Sequence, residues 1–338
     1  MAKERIDTVR LQDMAHAYWE TGVLNAAIEL DLFTKVAAGA DSLDGIAAAL
    51  EITPLNALRL TTACATLDLL RRTPDGRFVN APDADKFLVE GKPGYAGPWL
   101  DFTRKVYDDW PKWNKLADYL RHKGPPEELA MYQDFGVEDA RAYHEATYSI
   151  GLGAGRRFVH QVDLSKRSKI LDLGGGSGCY CIAACTEHPH LTATVLDLPP
   201  VTEVASEFIA KHGFADRIDT LAGDFTKVAF PTDVDVMIMA SNIPHFDRAA
   251  MFALARKAFD ALLPGGEMHI VGEIIDDDGK GPVSSAMWAM EEALYGGGGT
   301  PHTRAETREY LTEAGFVDVA DADFIPGTLA RIYGTKPA

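Results

Sequence analysis

The chain has 338 residues, 46% hydrophobic and 25% charged, the balance of a soluble globular protein long enough for two domains. Its net charge of −17 and pI near 5.0 oppose phosphate backbones and anionic membranes, so neither nucleic acid nor lipid is expected as a partner. The opening "MAKERIDTVR" is charged with no apolar core behind it, and no apolar run reaches the ~18 residues of a membrane span, so a cytoplasmic protein is expected.

The first 95 residues carry short helical patterns, "RLQDMAHAYWETGVLNAAIELDLFTKV", "SLDGIAAAL" and "TPLNALRLTTACATLDLL". In the last of these Leu55, Leu58, Ala63, Leu67 and Leu70 recur near helical spacing, Thr53 is placed to cap and Pro54 to fill the first turn. "LRRTPDGRFVNAP" then reads as a hairpin about a "PDG" turn. Three helices and a two-stranded wing make a winged helix, a pattern that raises DNA binding. Residues 1–90 hold 9 Lys and Arg against 14 Asp and Glu, a net of −5, and the third helix carries only Arg59 before the Arg71 and Arg72 pair. A DNA reader has a basic stripe there, so dimerisation through apolar helices is the preferred role. A regulatory winged-helix protein with a sensor domain is the competing reading.

Residues 96–165 read as a helical connection contributing to a substrate pocket, with aromatics in "WLDFTRKVYDDWPKWNKLADYL" and "YHEATYSIGLGAG". Trp99, Phe102, Trp110 and Trp113 recur at spacings of three to eight, which suits packing better than a ligand cage. Residues 166–338 alternate strand and helix. "SKILDLGGG", "TATVLDL", "DTLAGDF", "VDVMIMAS" and "GGEMHIVGEII" are strands, with helices such as "VTEVASEFIAKHGF" and "AAMFALARKAFDALL" between them. The fold class is therefore α/β, a doubly wound Rossmann-like parallel sheet behind a mainly helical N-terminal domain. Ligands of such sheets bind beyond the carboxyl ends of the strands, so the strand ends form one site.

The first strand end, "LDLGGGSG", alternates Gly174, Gly176 and Gly178, which lets backbone approach a ligand closely. A dinucleotide fingerprint needs glycine three places after Gly176, where Cys179 stands, so a pyrophosphate loop is disfavoured. Asp197 ends the second strand about twenty residues on, where a carboxylate can accept both hydroxyls of a ribose. Asp224 and Phe225 end the third, suited to an adenine amine and ring face. Cys179, Cys181 and Cys185 have no second cluster to complete a metal site and are expected as small buried residues, with no metal.

The motifs "LDLGGGSG", "LDLPPV", "GDF", "LLPGGE" and "LTEAGF" resemble those of the class I S-adenosylmethionine-dependent methyltransferases of the plant caffeate and bacterial antibiotic O-methyltransferase type. The resemblance covers nearly the whole chain, since that family also carries an N-terminal winged-helix dimerisation domain. It implies S-adenosylmethionine as methyl donor, a homodimer and a small-molecule acceptor. It places Asp172, Gly174, Gly176, Gly178, Asp197 and Leu198 about the methionine and ribose, Asp224 and Phe225 about the adenine, and Ser241 nearby.

At the acceptor the chain departs from the family. Members read "LHDW" where this chain reads "IPHF", so Pro244 takes the place of the histidine that serves as base. Either His245 replaces that base after a local backbone shift, or the acceptor loses no proton; Glu273, which flanks the base in plant relatives, is the second catalytic candidate. A phenol, with a pKa near ~10, gains about 10²- to 10⁴-fold from a general base. A thioether needs only in-line positioning, and Tyr143, Tyr148 and Trp288 offer faces to a sulfonium product. His144 and Thr147 complete the candidate acceptor residues. In length, acidity and missing base the chain is similar to the bacterial methylthiohydroxybutyrate S-methyltransferases of dimethylsulfoniopropionate synthesis. S-methylation of a thioether acid is therefore the specific expectation, with Arg104, Arg141, His144, His245 or Arg304 binding its carboxylate, and O-methylation of a phenol or other hydroxyl the alternative.

Overall fold

The computed structural model describes residues 8–106, 110–121, 123–127, 129–132 and 134–338, apart from the side chains of 104–106, 110, 111 and 131. The chain divides into two compact units, Met1–Asp108 and Asp109–Ala338.

The first unit holds α1 (Val9–His16), α2 (Tyr18–Glu29), α3 (Leu32–Ala37), α4 (Leu43–Ala49), α5 (Pro54–Thr66), the hairpin β1 (Leu70–Arg72) and β2 (Phe78–Asn80), α6 (Pro82–Phe87) and α7 (Gly97–Val106). The expected first helix is broken twice, the second time where Asp31 turns left-handed at φ 58°. Ser42 and Thr53 cap α4 and α5, their hydroxyls accepting from Gly45 N at 3.1 Å and Asn56 N at 3.2 Å. The hairpin pairs Leu70 with Asn80 and Arg72 with Phe78. A core of Leu32, Phe33, Ile46, Leu50, Ala57, Leu70 and Phe78 joins the helices to the wing.

The residues that recur at helical spacing in the sequence are not the ones that α5 buries within the unit. Ala57, Thr61 and Cys64 face the core, whereas Leu55 and Leu58 are exposed, Leu67 caps the helix and Leu70 lies in β1. The helix is apolar on two sides, and the smaller residues meet the neighbouring helices. Val9, Leu11, Met14, Tyr18 and Trp19 of the N-terminal helices are also exposed within the unit.

The second unit holds α8 (Trp110–Asn114), α9 (Leu116–Leu120), a 3₁₀ turn at Ala130–Tyr132, α10 (Val137–Gln161), β3 (Lys169–Leu173), α11 (Cys179–Glu187), β4 (Thr192–Asp197), α12 (Pro199–Lys211), β5 (Ile218–Ala222), β6 (Val234–Ala240), a second 3₁₀ turn at Ile243–His245, α13 (Arg248–Ala261), β7 (Leu262–Gly272), α14 (Val283–Tyr295), α15 (Arg304–Ala314), β8 (Val317–Ile325) and β9 (Leu329–Thr335). The seven strands lie in the order β5-β4-β3-β6-β7-β9-β8. β3 to β7 are parallel, as expected. The antiparallel pair β8 and β9, unread in the sequence, completes the edge.

Central strands covered on both faces read as continuous apolar runs, and β3 and β6 are buried almost throughout. Alternation along β3 sends Ile170 to a core with α10, α11 and α12 and Leu171 and Leu173 to one with α13 and α15. Asp172 shares the parity of Ile170, so its carboxylate lies 3.7 Å from Cys181 Sγ. All four cysteines are buried and free.

α10 lies against α11 at Gly151 and Gly155. A methyl on Gly155 would stand 2.7 Å from the Cys179 carbonyl oxygen and 3.1 Å from Ala183 Cβ, while Gly153 has open space around it. Gly155→Val is therefore expected to destabilise the fold by about 1–3 kcal/mol through overpacking. Gly153→Ala should be neutral or stabilising by up to about 1 kcal/mol. Thermal denaturation of the two variants measures both effects; equal melting temperatures would show that this contact does not limit packing.

Candidate active site

The parallel strands deliver their ends to one cavity in the second unit, on either side of the switch between β3 and its neighbours β4 and β6. Gly174 and Gly176 line it after β3, Asp197 and Leu198 after β4, Gly223 to Thr226 after β5, and Ala240, Ser241, Asn242, His245 and Phe246 at and after β6. Leu129, Ala130, Tyr132 and Phe135, with Tyr143 and His144 of α10 and Glu292 of α14, line the rest.

The β3 loop is built for close approach. Gly174 and Gly176 are left-handed, at φ 64° and 56°, and a methyl on Gly176 would stand 2.6 Å from His144 Cε1. Asp197 ties this loop to the next, its carboxylate accepting from Gly176 N at 2.9 Å and Leu198 N at 2.7 Å. Burial still pushes its pKa up to about 6. Asp224 is pulled up by burial, but Thr226 and Lys227 outweigh that and hold it below its ordinary value. Asn242, which the sequence reading passed over, donates to the carbonyls of Leu173 at 3.1 Å and Ala240 at 2.8 Å, joining the ends of β3 and β6.

His245 ends the 3₁₀ turn that follows β6. Its Nδ1 lies 2.6 Å from Glu292 Oε1, with the two side chains 15% and 7% exposed, and Tyr132 packs edge-on against its ring at 5.5 Å. Nε2 has no hydrogen-bond partner among the described residues. A neutral imidazole donates through one nitrogen and accepts through the other, so a carboxylate on Nδ1 leaves Nε2 as the acceptor. Burial pushes the phenol of Tyr143 up to about 12 and that of Tyr132 well above its ordinary value, so both stay protonated.

Several sequence candidates lie elsewhere. Arg141 pairs with Glu207, and Arg304 with Asp276 at 3.0 Å, Asp321 at 3.1 Å and Asp323 at 2.6 Å; neither lines the cavity. The side chains of Arg104 and Trp110 lie outside the described residues. Trp99 stacks with Phe102 in the first unit. His144 does line the cavity, but burial pushes its pKa down to about 4, so it is not a cation for a carboxylate at neutral pH. Tyr148 stacks on Phe208 and His212, one turn along α10 beyond the cavity, and Thr147 donates to the Tyr143 carbonyl. Trp288, one turn before Glu292, is not a lining residue.

Glu273 is buried and raised by that burial, with lowering contributions from Ser241 and His245, and lies off the cavity; the carboxylate bonded to His245 is Glu292, which sequence reasoning missed. Asp172, pushed by burial to about 7, sits beneath the glycine loop, where a methyl on Gly175 would stand 2.7 Å from it. Gly178 precedes α11 as its left-handed cap and does not line the cavity either. Among the described residues no group of three or more His, Cys, Asp or Glu could hold a metal ion, and no helix is long and apolar enough to cross a membrane.

A doubly wound sheet ending in a glycine loop, with strand-end carboxylates and no pyrophosphate fingerprint, suits an S-adenosylmethionine-dependent methyltransferase, and the family match shows that class. Residues 113–317 match the O-methyltransferase domain and residues 12–90 the O-methyltransferase dimerisation domain, and the chain belongs to this family. It is 33% identical over 332 residues to the 3-hydroxy-5-methyl-1-naphthoate 3-O-methyltransferase of Streptomyces sahachiroi, covering 96% of this chain and 94% of that one. It is 31% identical to the tetracenomycin polyketide synthesis 8-O-methyl transferase of Streptomyces glaucescens, covering 95% and 94%. Human N-acetylserotonin methyltransferase, solved in complex with S-adenosylmethionine, shares the fold at a TM-score of 0.79 and 22% identity, with both chains covered in full.

Proposed function

We propose that the enzyme methylates the hydroxyl of an uncharged aromatic small molecule, with His245 as general base and Glu292 as the group that orients it. The observation that carries this reading is the 2.6 Å contact between the buried Glu292 carboxylate and His245 Nδ1. The sulfur expectation rested on the missing base at Pro244, and His245 supplies a proton acceptor one residue later. A thioether acid also needs a partner for its carboxylate. The described residues lining the cavity include Glu127, Asp197, Asp224 and Glu292 but no Lys or Arg. Such a site favours acceptors without a carboxylate. The relatives named above support oxygen as the accepting atom, since their own names specify O-methyl transfer; the naphthoate in the first of those names carries a carboxylate, so the preference for an uncharged acceptor rests on the cavity lining alone.

In this reading the glycine loop, Asp197, Leu198, Asp224, Phe225 and Ser241 hold the methyl donor, whose sulfonium supplies an electrophilic methyl group. Asp197 presents its carboxylate already oriented by two backbone N–H groups. The aromatic rings of Tyr132, Phe135, Tyr143 and Phe246 line the space for a planar acceptor. His245 takes the hydroxyl proton at Nε2 as the acceptor oxygen gains its methyl, and Glu292 stabilises the imidazolium so formed. The deciding test is a labelled-methyl screen of uncharged phenols, their carboxylated analogues and small thioether acids. Transfer to uncharged phenols, with His245→Ala costing about 10²-fold or more in kcat, is expected. Transfer to thioethers alone would overturn the reading.

Asp197 yields a pH prediction. Its folded-state pKa, about 6, is raised, so the carboxylate that accepts hydroxyls is lost as pH falls through that value. Affinity for S-adenosylmethionine, measured by calorimetry, should weaken between pH 7 and pH 5. Asp197→Asn should bind more weakly at pH 7, each bond to the charged acceptor contributing about 1.5–3 kcal/mol, and should show a flatter pH profile. Wild-type affinity in this variant would remove Asp197 from the donor site.

We also infer a homodimer. The dimerisation-domain match over residues 12–90 and the exposed apolar residues Val9, Leu11, Met14, Tyr18, Trp19, Leu55 and Leu58 support it. Sedimentation of the full chain should give twice the chain mass; a well-behaved monomer at micromolar concentration would contradict it.

A further inference from the structure

The segment "YGGGGT", Tyr295 to Thr300, puts four consecutive glycines directly after α14, where nothing in the donor chemistry requires them. Gly296 ends the helix in the left-handed region at φ 71°. The next three glycines are not left-handed, so backbone conformation does not explain them. Their surroundings do. A methyl on Gly297 would overlap Glu292 Oε2 and stand 3.0 Å from Ala130 Cβ. A methyl on Gly299 would overlap the Pro244 carbonyl oxygen and stand 2.9 Å from the carbonyl carbon of His245. One glycine is thus pressed against the carboxylate of the pair and another against the peptide that carries the imidazole.

Hydrogen bonds fix the segment at both ends. Gly297 N donates to the Glu292 carbonyl at 2.9 Å, and Thr300 N to the Phe246 carbonyl at 3.1 Å. His302 further along contacts the same Phe246 carbonyl through Nε2 at 2.9 Å and the Tyr310 hydroxyl through Nδ1 at 2.8 Å. The glycine run therefore spans from the end of α14 to the turn after β6, the two elements whose side chains meet as Glu292 and His245.

We propose that Gly297 and Gly299 are positioning residues for the His245–Glu292 pair, their missing side chains allowing backbone to lie flat against both partners so that Nδ1 and Oε1 meet. The proposal rests on the reading of His245 as base, but its geometric part can be measured without an acceptor. A histidine Nδ1 proton bonded to a carboxylate gives a far-downfield proton NMR resonance. The full chain saturated with S-adenosylhomocysteine should show one that Glu292→Gln abolishes. Gly297→Ala and Gly299→Ala should each lose or broaden it, whereas Gly153→Ala, a methyl added in open space on α10, should keep it.

Turnover on an uncharged phenol should fall by about 10-fold or more in the Gly297 and Gly299 variants, with S-adenosylmethionine affinity within about twofold of wild type, the signature of a misplaced base. In the Gly297→Ala background Glu292→Asp, shorter by one methylene, should recover part of the resonance and part of the turnover. Retention of the resonance and of full turnover in both glycine variants overturns the proposal. So does loss of melting temperature and donor affinity together without recovery in the double variant, which would make the glycines merely structural. If the resonance behaves as expected while His245→Ala leaves turnover intact, the positioning role stands and the base assignment falls.

Discussion

The contact between His245 and Glu292 joins segments 47 residues apart and is the interaction on which the acceptor side of the cavity depends. A carboxylate as buried as Glu292 is costly unless paired and hydrogen-bonded, so the imidazole stabilises the placement of α14 as much as the carboxylate orients the imidazole. Tyr132 packs edge-on against the same ring, and Leu129, Ala130, Tyr132 and Phe135 form that part of the wall. Three stretches distant in sequence thus meet at one imidazole. The opposite side of the cavity, proposed to hold the donor, depends on Asp197, whose two backbone hydrogen bonds hold the loops after β3 and β4 together.

These two constraints divide the labour. The strand ends of β3, β4 and β5, proposed as the donor site, line the cavity largely with backbone and short side chains, which parallel strands place within one crevice. The rest of the wall, proposed as the acceptor side, comes from helices and turns laid across that crevice, and aromatic rings and carboxylates set its character. If Pro244 takes the place of the family's histidine, as the resemblance implies, the proposed base stands one residue along the chain. A 3₁₀ turn with proline in its first turn presents that residue, His245, at the cavity, with its partner on α14.

Much of the strand-end half of the cavity was legible in the sequence, because it depends on local features: apolar strands, glycines at their ends and a carboxylate about twenty residues on. The edge pair β8 and β9 was not, since its strands "VDVADADFI" and "LARIYGT" mix exposed, half-buried and buried positions. The apolar spacing of Leu55 and Leu58 identified a stripe on α5 without saying what covers it, and within the unit both are exposed. In α10, composition could not separate Tyr143 and His144, which reach the cavity, from Tyr148, which stacks over α12. Glu292 was illegible for a plainer reason. Its importance lies in a tertiary contact with His245, and "AMEEALYG" carries no mark of it beyond an acid on a helix. Arg304 and Arg141 show the converse, charges that looked free in sequence and are matched by acids in the fold.

The central claim is that His245 faces the acceptor with a free Nε2. A crystal structure of the full chain with S-adenosylhomocysteine and an uncharged aromatic hydroxyl tests it directly. The account predicts the acceptor oxygen within about 2.6–3.2 Å of His245 Nε2, with Nδ1 still on Glu292. An acceptor oxygen held away from His245, or an imidazole turned off Glu292, would contradict it.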